Sequence, residues 1–379
     1  MKRARRVFER ITMEACRTAV YNISHTKRVL RHGRGVEMRE NCEKYARDAY
    51  EKLWDGFQLS PFTVFTLDEG GKNRLIEAPT TEDAIAIRVV TNICEPIIYA
   101  RQVENSYCPI PGRGSLLMAR RIQDDLCQVV KLCRRHNESK PRKTAWHCWC
   151  EKTDIRKYFQ SITFNLAMES MEDIFDDGRL LGQLAAFLRF QDGLPIGAGF
   201  SAMIANAIHA PLDRIIAARK DSYGAHRYMD DTCGVYRSKK AAHAAHEEKE
   251  DWYNRYGLTS GKKWSVFRIE DKPLVMGGWR IRPSGIIPSQ RIMRHVLRLL
   301  RGDPATLSMN GKLALASLYG WVKNGDSQTL KELWQKKHAD IIFNQIGGAT
   351  KERPEHVAKW LGEEGLSDYT LTQEEFDFS

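Results

Sequence analysis

From Arg3 to about Leu53 the chain is built mostly of helix formers, interrupted by a polar, glycine-containing stretch around Arg31 to Gly35. That pattern predicts two helices joined by a basic loop. The texture changes at Phe62, where Phe-Thr-Val-Phe-Thr-Leu is followed by Asp-Glu-Gly-Gly and then Asn-Arg-Leu-Ile, ending at Ile76. Two short strands around a glycine turn account for it, with Lys72 and Arg74 on the return strand. Glu82 to Ala100 has helical period, Pro109, Pro111, Gly112 and Gly114 mark a loop, and Ser115 to His136 is helical again.

The aromatic and thiol-rich run Thr144 to Cys150, followed by Lys-Thr-Asp, predicts a buried strand with Asp154 at its end. Ile204, Ile208, Leu212 and Ile215 form a helical stripe within Ser201 to Ala218, just after a Gly-Leu-Pro-Ile-Gly loop. Ala225 to Tyr236 reads as two short strands joined at Met229-Asp230-Asp231, a tight hairpin with carboxylates near its tip. From about Ser289 the chain is helical and rich in arginine through Arg301, and the residues beyond Arg301 read as a separate helical part. No repeat or long low-complexity segment interrupts this order.

With 379 residues and 42% hydrophobic content, the chain can bury a large core or a compact set of subdomains, which excludes disorder as its main state. Lysine and arginine outnumber acidic residues by 59 to 48, a net charge of +11. That favours a polyanionic partner, although a merely basic protein has the same balance. The nine cysteines lack disulfide-framework spacing, and no secretory signal precedes them, so they are expected as thiols. No run reaches the roughly 18 to 20 apolar residues that span a bilayer. A soluble, cytoplasmic protein is the expectation, with no membrane partner. His147, Cys148 and Cys150, near Cys127 and Cys133, fit no standard zinc spacing and are expected as buried strand residues.

Phosphoryl transfer onto a 3′-hydroxyl uses two divalent ions roughly 3.5–4 Å apart, held by carboxylates from two directions. Magnesium takes one or two protein carboxylates plus substrate phosphates, so Asp154 facing Asp230 and Asp231 would suffice if their strands are neighbours. Taken alone, an Asp-Asp turn is ordinary turn chemistry. The ordered set is more specific. Asp154, then Leu-Pro-Ile-Gly and a helix, then Tyr-Met-Asp-Asp inside an apolar hairpin resembles the palm of reverse transcriptases, over about Asp68 to Arg282.

The resemblance implies an α+β right-hand polymerase. Its fingers and palm, an antiparallel sheet backed by helices, would occupy 53–285, with an N-terminal helical extension at 1–52 and a helical thumb and tail at 286–379. It implies that Asp154 and Asp230 bind both metals, that Asp231 is the supporting carboxylate, and that the Ile155 carbonyl is a further ligand. Two magnesium ions are implied as cofactor, with manganese able to substitute. Phe159 matches the aromatic that blocks a ribose 2′-hydroxyl, although an ordinary core aromatic fits that position equally. Lys72 and Arg74 match the fingers residues that hold the incoming triphosphate, and Arg74 is preferred because its planar fork suits phosphate oxygens. Surface solubility is the plain alternative for both. Lys263, preferred over Lys262, matches a lysine near the pyrophosphate. Tyr228 and Met229 stand beside the primer and template in this scheme. Met276, Gly277 and Gly278 fall where the primer-gripping hairpin is expected, in a less usual wording.

Arg74-Leu75-Ile76-Glu77-Ala78, Asn92-Ile93 with Pro96-Ile97, Ser106-Tyr107-Cys108 and Pro111-Gly112-Arg113-Gly114 are similar to the bacterial and phage enzymes of diversity-generating retroelements. In most reverse transcriptases the loop reads Leu-Pro-Gln-Gly; here Ile196 replaces the glutamine before Gly197. In that group an aliphatic residue there accompanies misincorporation opposite template adenine, and losing a polar contact to the new pair weakens discrimination. The implied partners are template RNA, a cDNA primer, deoxynucleoside triphosphates and a small basic oligomeric accessory protein. The run Gly197-Ala198-Gly199-Phe200-Ser201-Ala202 departs from the usual Gly-Asn-x-x-Ser-Gln. A phage-defence or retron-type enzyme stays open for that reason, as does an inactive RNA-binding scaffold with the polymerase fold.

Overall fold

The computed structural model describes residues 2–26, 29, 34–68, 73–139, 145–189 and 191–339. After a 3₁₀ turn at Phe8–Arg10 come α1 (Met13–Ser24), α2 (Arg34–Glu40) and α3 (Cys42–Trp54). Thr12 starts α1 by accepting from the Ala15 N–H at 3.2 Å, which satisfies one of the helix's orphan donors. Of the expected basic loop, residues 31–33 lie outside the described residues, and Gly35 already belongs to α2. Among the described residues the chain breaks again at Asn41, between α2 and α3. Its side-chain amide donates to the Glu37 carbonyl at 3.0 Å, the local competition that makes asparagine a poor interior residue.

Strands β1 (Thr63–Asp68) and β2 (Asn73–Ala78) pair antiparallel, from Thr63 opposite Ala78 to Asp68 opposite Asn73. Their turn, with Lys72, lies outside the described residues. Then follow α4 (Thr81–Tyr99), β3 (Ser106–Tyr107), α5 (Ser115–Ser139) and β4 (Trp149–Thr153). The strand before Asp154 starts later than the aromatic run suggests. The side-chain amide of Asn137 pairs with both the N–H and the carbonyl of Trp146, at 2.7 and 2.9 Å, so the backbone there is held by a side chain instead of a ladder.

Next come α6 (Tyr158–Ser161), α7 (Phe164–Glu172), α8 (Gly178–Leu188) and α9 (Gly199–Ala217). In α9 the stripe advances in steps of four through Ile204, Ile208 and Leu212 to Ile216, which is buried, while Ile215 is exposed. The remaining elements are β5 (Ser222–Tyr228), β6 (Asp231–Tyr236), α10 (Lys239–Arg255), β7 (Ser265–Arg268), β8 (Leu274–Met276), β9 (Trp279–Arg282), β10 (Gly285–Pro288), α11 (Gln290–Leu299), α12 (Met309–Asn324) and α13 (Gln328–Lys336). Among the described residues no helix is long and apolar enough to cross a membrane.

The chain forms two compact units. One takes the residues through Glu104, Ile155–Ile215 and Lys249–Lys262. The other takes Asn105–Asp154, Ile216–Glu248 and the described residues from Lys263 on. Both units interleave along the sequence, a different cut from the linear division into extension, core and thumb. In the first, α1 packs on α3 and α4 through small and branched side chains, including Ala19, Val20, Ala46, Ala49, Ile85 and Val89. Buried Asp83, fully covered, is neutralised by Lys52 and accepts from the Ser60 N–H at 2.8 Å.

The second unit contains a five-stranded sheet in the order β3-β5-β6-β4-β7 and a three-stranded sheet β10-β9-β8. All neighbours in the larger sheet are antiparallel except β3, a two-residue edge strand parallel to β5. Helix α5 covers this unit's sheets with Met118, Ile122, Leu126 and Val129, one face at helical spacing, against Cys233, Val235, Phe267, Trp279 and Ile281. Each such fully buried aliphatic side chain contributes about 1.5–3 kcal/mol. Cys148 and Cys150 lie buried in this core, Cys150 on β4 as expected and Cys148 just before the strand. Helices α11, α12 and α13 close on a separate cluster containing Val296, Leu315, Leu330 and Trp334.

Candidate active site

Antiparallel pairing of β4 with β6 sets Thr153 opposite Thr232. Asp154 directly follows Thr153 and Asp231 directly precedes Thr232, so the two carboxylates end neighbouring strands at one edge of the sheet. Tyr228 pairs with Asp231, which leaves Met229 and Asp230 as a two-residue hairpin loop. Met229 holds φ at 56°, a left-handed conformation that costs a non-glycine residue about 1–2 kcal/mol. Arg227, itself buried, steadies that loop by donating to the Met229 carbonyl at 3.3 Å. Tyr228 is packed in the core, whereas Asp230 is exposed and Asp154 and Asp231 are half-buried.

Beneath this edge lies a polar framework that sequence reasoning missed. The Thr153 hydroxyl contacts Glu151 and lies 3.0 Å from His246 Nδ1, and the Thr232 hydroxyl donates to the Thr153 carbonyl at 3.2 Å. Glu151 is fully buried and is 3.8 Å from His246, whose ring stacks on Trp264 with centroids 3.9 Å apart. A buried carboxylate with such partners fixes the strand end from which Asp154 projects. The one sequence signal was a glutamate in a strand otherwise walled by thiols and aromatics.

Lys152 was also missed. Its Nζ lies 3.3 Å from Asp231 Oδ1 and donates to the Val275 carbonyl at 2.8 Å. It therefore ties the third carboxylate to the β8–β9 hairpin. That hairpin turns at Gly277 and Gly278, with φ of 51° and 81°, the two positive angles that a two-residue primed turn demands. A Cβ on Gly278 would sit 2.5 Å from the Trp321 ring, so there both φ and space call for glycine, whereas at Gly277 the near atom is the movable end of Met118 at 2.6 Å and φ alone disfavours a side chain. Met276 is buried beside them. Lys263, exposed, lies two residues before Ser265, which pairs with Lys152, and so stands toward the carboxylate end of β7.

In the first unit the structure gathers a different set. The Glu77 N–H donates to the Ile196 carbonyl at 2.8 Å, which fastens the Leu-Pro-Ile-Gly loop to β2, the strand that carries Arg74. Gly197 adopts φ of 115°, and a Cβ there would meet Ile76 Cγ2 at 2.9 Å and the Glu77 carbonyl at 3.3 Å. At the other side of the loop the Leu194 N–H donates to the Phe159 carbonyl at 2.8 Å. Arg74, Ile196, Gly197 and Phe159 thus belong to one connected strand, loop and turn. Ile155 is buried and bridges antiparallel to Ser260. Lys72 lies outside the described residues.

Among the described residues no three His, Cys, Asp or Glu side chains form a ready-made metal cage. Magnesium does not need one, since it keeps waters and substrate phosphates as most of its ligands. The donor set fits that ion: hard carboxylate oxygens, partly exposed, at a point where the protein already draws the Lys152 cation to Asp231.

These features have a counterpart among known families. Residues 67–281 match the model of the reverse transcriptase (RNA-dependent DNA polymerase) family. The chain belongs to that family, and its mixed helices and antiparallel sheets are the corresponding polymerase fold. Among solved structures it is similar to telomerase from Candida albicans in complex with a TWJ fragment of telomeric RNA, at 12% identity and a TM-score of 0.48, covering 82% of this chain and 61% of that one. Apo telomerase from Candida tropicalis is similar at 12% identity and a TM-score of 0.48, covering 82% of this chain and 70% of that one. No curated protein sequence matches the chain.

Proposed function

We propose that this protein copies an RNA template into DNA, and that it does so as the error-prone polymerase of a diversity-generating retroelement. The observation that carries the first part is the register of β4 against β6, which brings Asp154 and Asp231 to one sheet edge with Asp230 in the adjoining loop. Asp154, Asp230 and the Ile155 carbonyl would hold two magnesium ions, or manganese in their place, with Asp231 in support. Such ions supply activation of the primer 3′-hydroxyl and neutralisation of the departing pyrophosphate.

The chain's own residues supply the rest. Arg74 and Lys72 bind the incoming triphosphate, and Lys263 faces its pyrophosphate end. Phe159 excludes a 2′-hydroxyl and so selects deoxynucleotides. Tyr228 and Met229 support the primer end from the hairpin, and Met276 with the two turn glycines lets the primer backbone approach. The extension at 1–52, through its excess of basic residues, and the thumb, through its arginine-rich run from Arg291 to Arg301, bind phosphates, so affinity falls with salt. A small basic accessory protein is the expected partner, and a bacterial or phage-encoded enzyme acting in the cytoplasm is the expected setting.

Ile196 supports the mutagenic reading, because an aliphatic side chain at the nascent pair offers no hydrogen bond to reject a wrong partner. The run from Gly197 to Ala202, with its unusual wording, favours instead a phage-defence or retron-type enzyme. Primer extension on an RNA template, followed by sequencing of the products, tests both levels. Errors concentrated at template adenines and reduced by Ile196→Gln are the expected result. Equal errors at all four bases would remove the mutagenic reading while leaving the polymerase, and absence of extension even with accessory protein and cognate RNA would leave only a scaffold.

A further inference from the structure

The end of the five-stranded sheet remote from the carboxylates carries a second cluster that polymerisation does not use. His136, at the end of α5, stacks on Trp146 with centroids 3.7 Å apart and planes 6° apart. Arg237, just past β6, places its guanidinium 4.5 Å from the Trp146 ring and 5.3 Å from Tyr223 on β5. Beside them Arg268 lies 5.2 Å from the Trp149 ring. Arg237 is exposed, and His136, Trp146 and Tyr223 are half-buried. The arrangement is built: the double hydrogen bond from Asn137 to the Trp146 backbone holds that ring at the surface.

Large aromatic rings left partly open to solvent and interleaved with arginine are a poor solution for stability alone. Successive flat faces with a cation between them match unpaired bases and their phosphates. Lys131, Arg134 and Arg135 on α5 and Lys239 and Lys240 after β6 are exposed nearby, against Glu138, which pairs with Arg134 at 3.0 Å. Trp149 begins β4 and Asp154 follows its end, so the cluster lies roughly 17 Å along the strand from the catalytic edge. The geometry points to a second nucleic-acid site here, one that holds unpaired nucleotides of a strand by stacking on the His136–Trp146–Arg237–Tyr223 array while the polymerase site is engaged elsewhere. Backbone charge and base faces are common to RNA and single-stranded DNA, and the two are separated by experiment.

The test is fluorescence anisotropy with labelled single-stranded RNA and DNA oligonucleotides of roughly 12 nucleotides, within the span such platforms take. Each is titrated with the full chain in excess blunt-ended two-strand RNA–DNA duplex, which competes for the polymerase site and offers no unpaired bases. Binding that survives the duplex, weakens about 10-fold in Trp146→Ala and in Arg237→Glu, and is retained in Trp146→Phe is the expected result. The strand, RNA or DNA, that shows this loss identifies the ligand. Full displacement by the duplex would overturn the proposal, and so would unchanged affinity in both variants. Unaltered melting and unaltered primer extension in Arg237→Glu separate loss of the site from loss of the fold.

Discussion

Replacing Gly197 by alanine probes the joint between β2 and the loop proposed to meet the nascent base pair. Gly197 holds φ of 115°, a region nearly closed to other residues, and forcing alanine there costs about 1–3 kcal/mol. The new Cβ would also stand 2.9 Å from Ile76 Cγ2 and 3.3 Å from the Glu77 carbonyl. Relief requires the loop to leave β2, which breaks the 2.8 Å bond from the Glu77 N–H to Ile196 and adds about 1 kcal/mol. The sum is about 2–4 kcal/mol, or a melting temperature lower by several degrees. Arg74 is on the strand that the loop leaves, so the residue proposed to bind the triphosphate loses its register with Ile196. Steady-state extension on an RNA template is expected to show the KM for deoxynucleotides rising at least 10-fold, with a smaller fall in kcat. Gly199→Ala is the control, because nothing lies within 4 Å of its Cβ and its φ is not positive. Melting and KM unchanged in Gly197→Ala, or equal effects in both variants, would refute the reasoning.

Three other outcomes rest on the same contacts. Lys152→Met removes the cation beside Asp231, and a partly exposed pair of this kind is worth about 0.2–1 kcal/mol. A magnesium titration of primer extension should therefore show half-saturation at 1.5- to 5-fold lower metal, even as kcat falls with loss of the tie to Val275; half-saturation at unchanged or higher metal would contradict the assigned competition. Gly278→Ala drives a Cβ to 2.5 Å from Trp321 at a φ of 81°, and it should weaken primer binding and lower melting, whereas Gly302→Ala, with open space around it, should change neither. Burial raises the Asp83 carboxyl, but the Lys52 ammonium and the Ser60 N–H outweigh it and hold it below the usual range. A carboxyl depressed in the folded state stabilises above its unfolded pKa, about 3.9, and loses that contribution as pH falls through the lower folded value. Asp83→Asn should flatten stability against pH in that acid window and lower neutral-pH stability by about 1–3 kcal/mol, since Lys52 is partly exposed and is left hydrated, read by urea denaturation at a series of pH values.

Some of this architecture is legible in the chain itself. The β1–β2 hairpin, the helix after Pro111 and the Asp-Asp hairpin show as changes of period and as glycine or aspartate at turns. Asp154 beside the Asp-Asp pair follows only from the pairing of β4 with β6, a non-local fact that no local pattern carries. Helices α7 and α8 escaped notice because their apolar faces are short, although Thr163 and Asp177 cap them at 3.2 Å each. Lys152, Glu151 and His246 were missed for a related reason. A lysine in a strand and a histidine in a charged helix look like solvated residues until tertiary contacts put them under Asp154 and against Asp231.

The central claim is that Asp154, Asp230 and Asp231 form one metal-dependent centre, and single-turnover extension of a DNA primer on an RNA template tests it most directly. Wild-type protein would be compared with Asp154→Asn, Asp230→Asn and Asp231→Asn across a magnesium series, with accessory protein and cognate RNA present and folding checked by melting. Magnesium-dependent incorporation of deoxynucleotides by the wild type, abolished in Asp154→Asn and Asp230→Asn and strongly reduced in Asp231→Asn, is the predicted result. Incorporation that survives Asp154→Asn or Asp230→Asn in a folded protein would contradict the account.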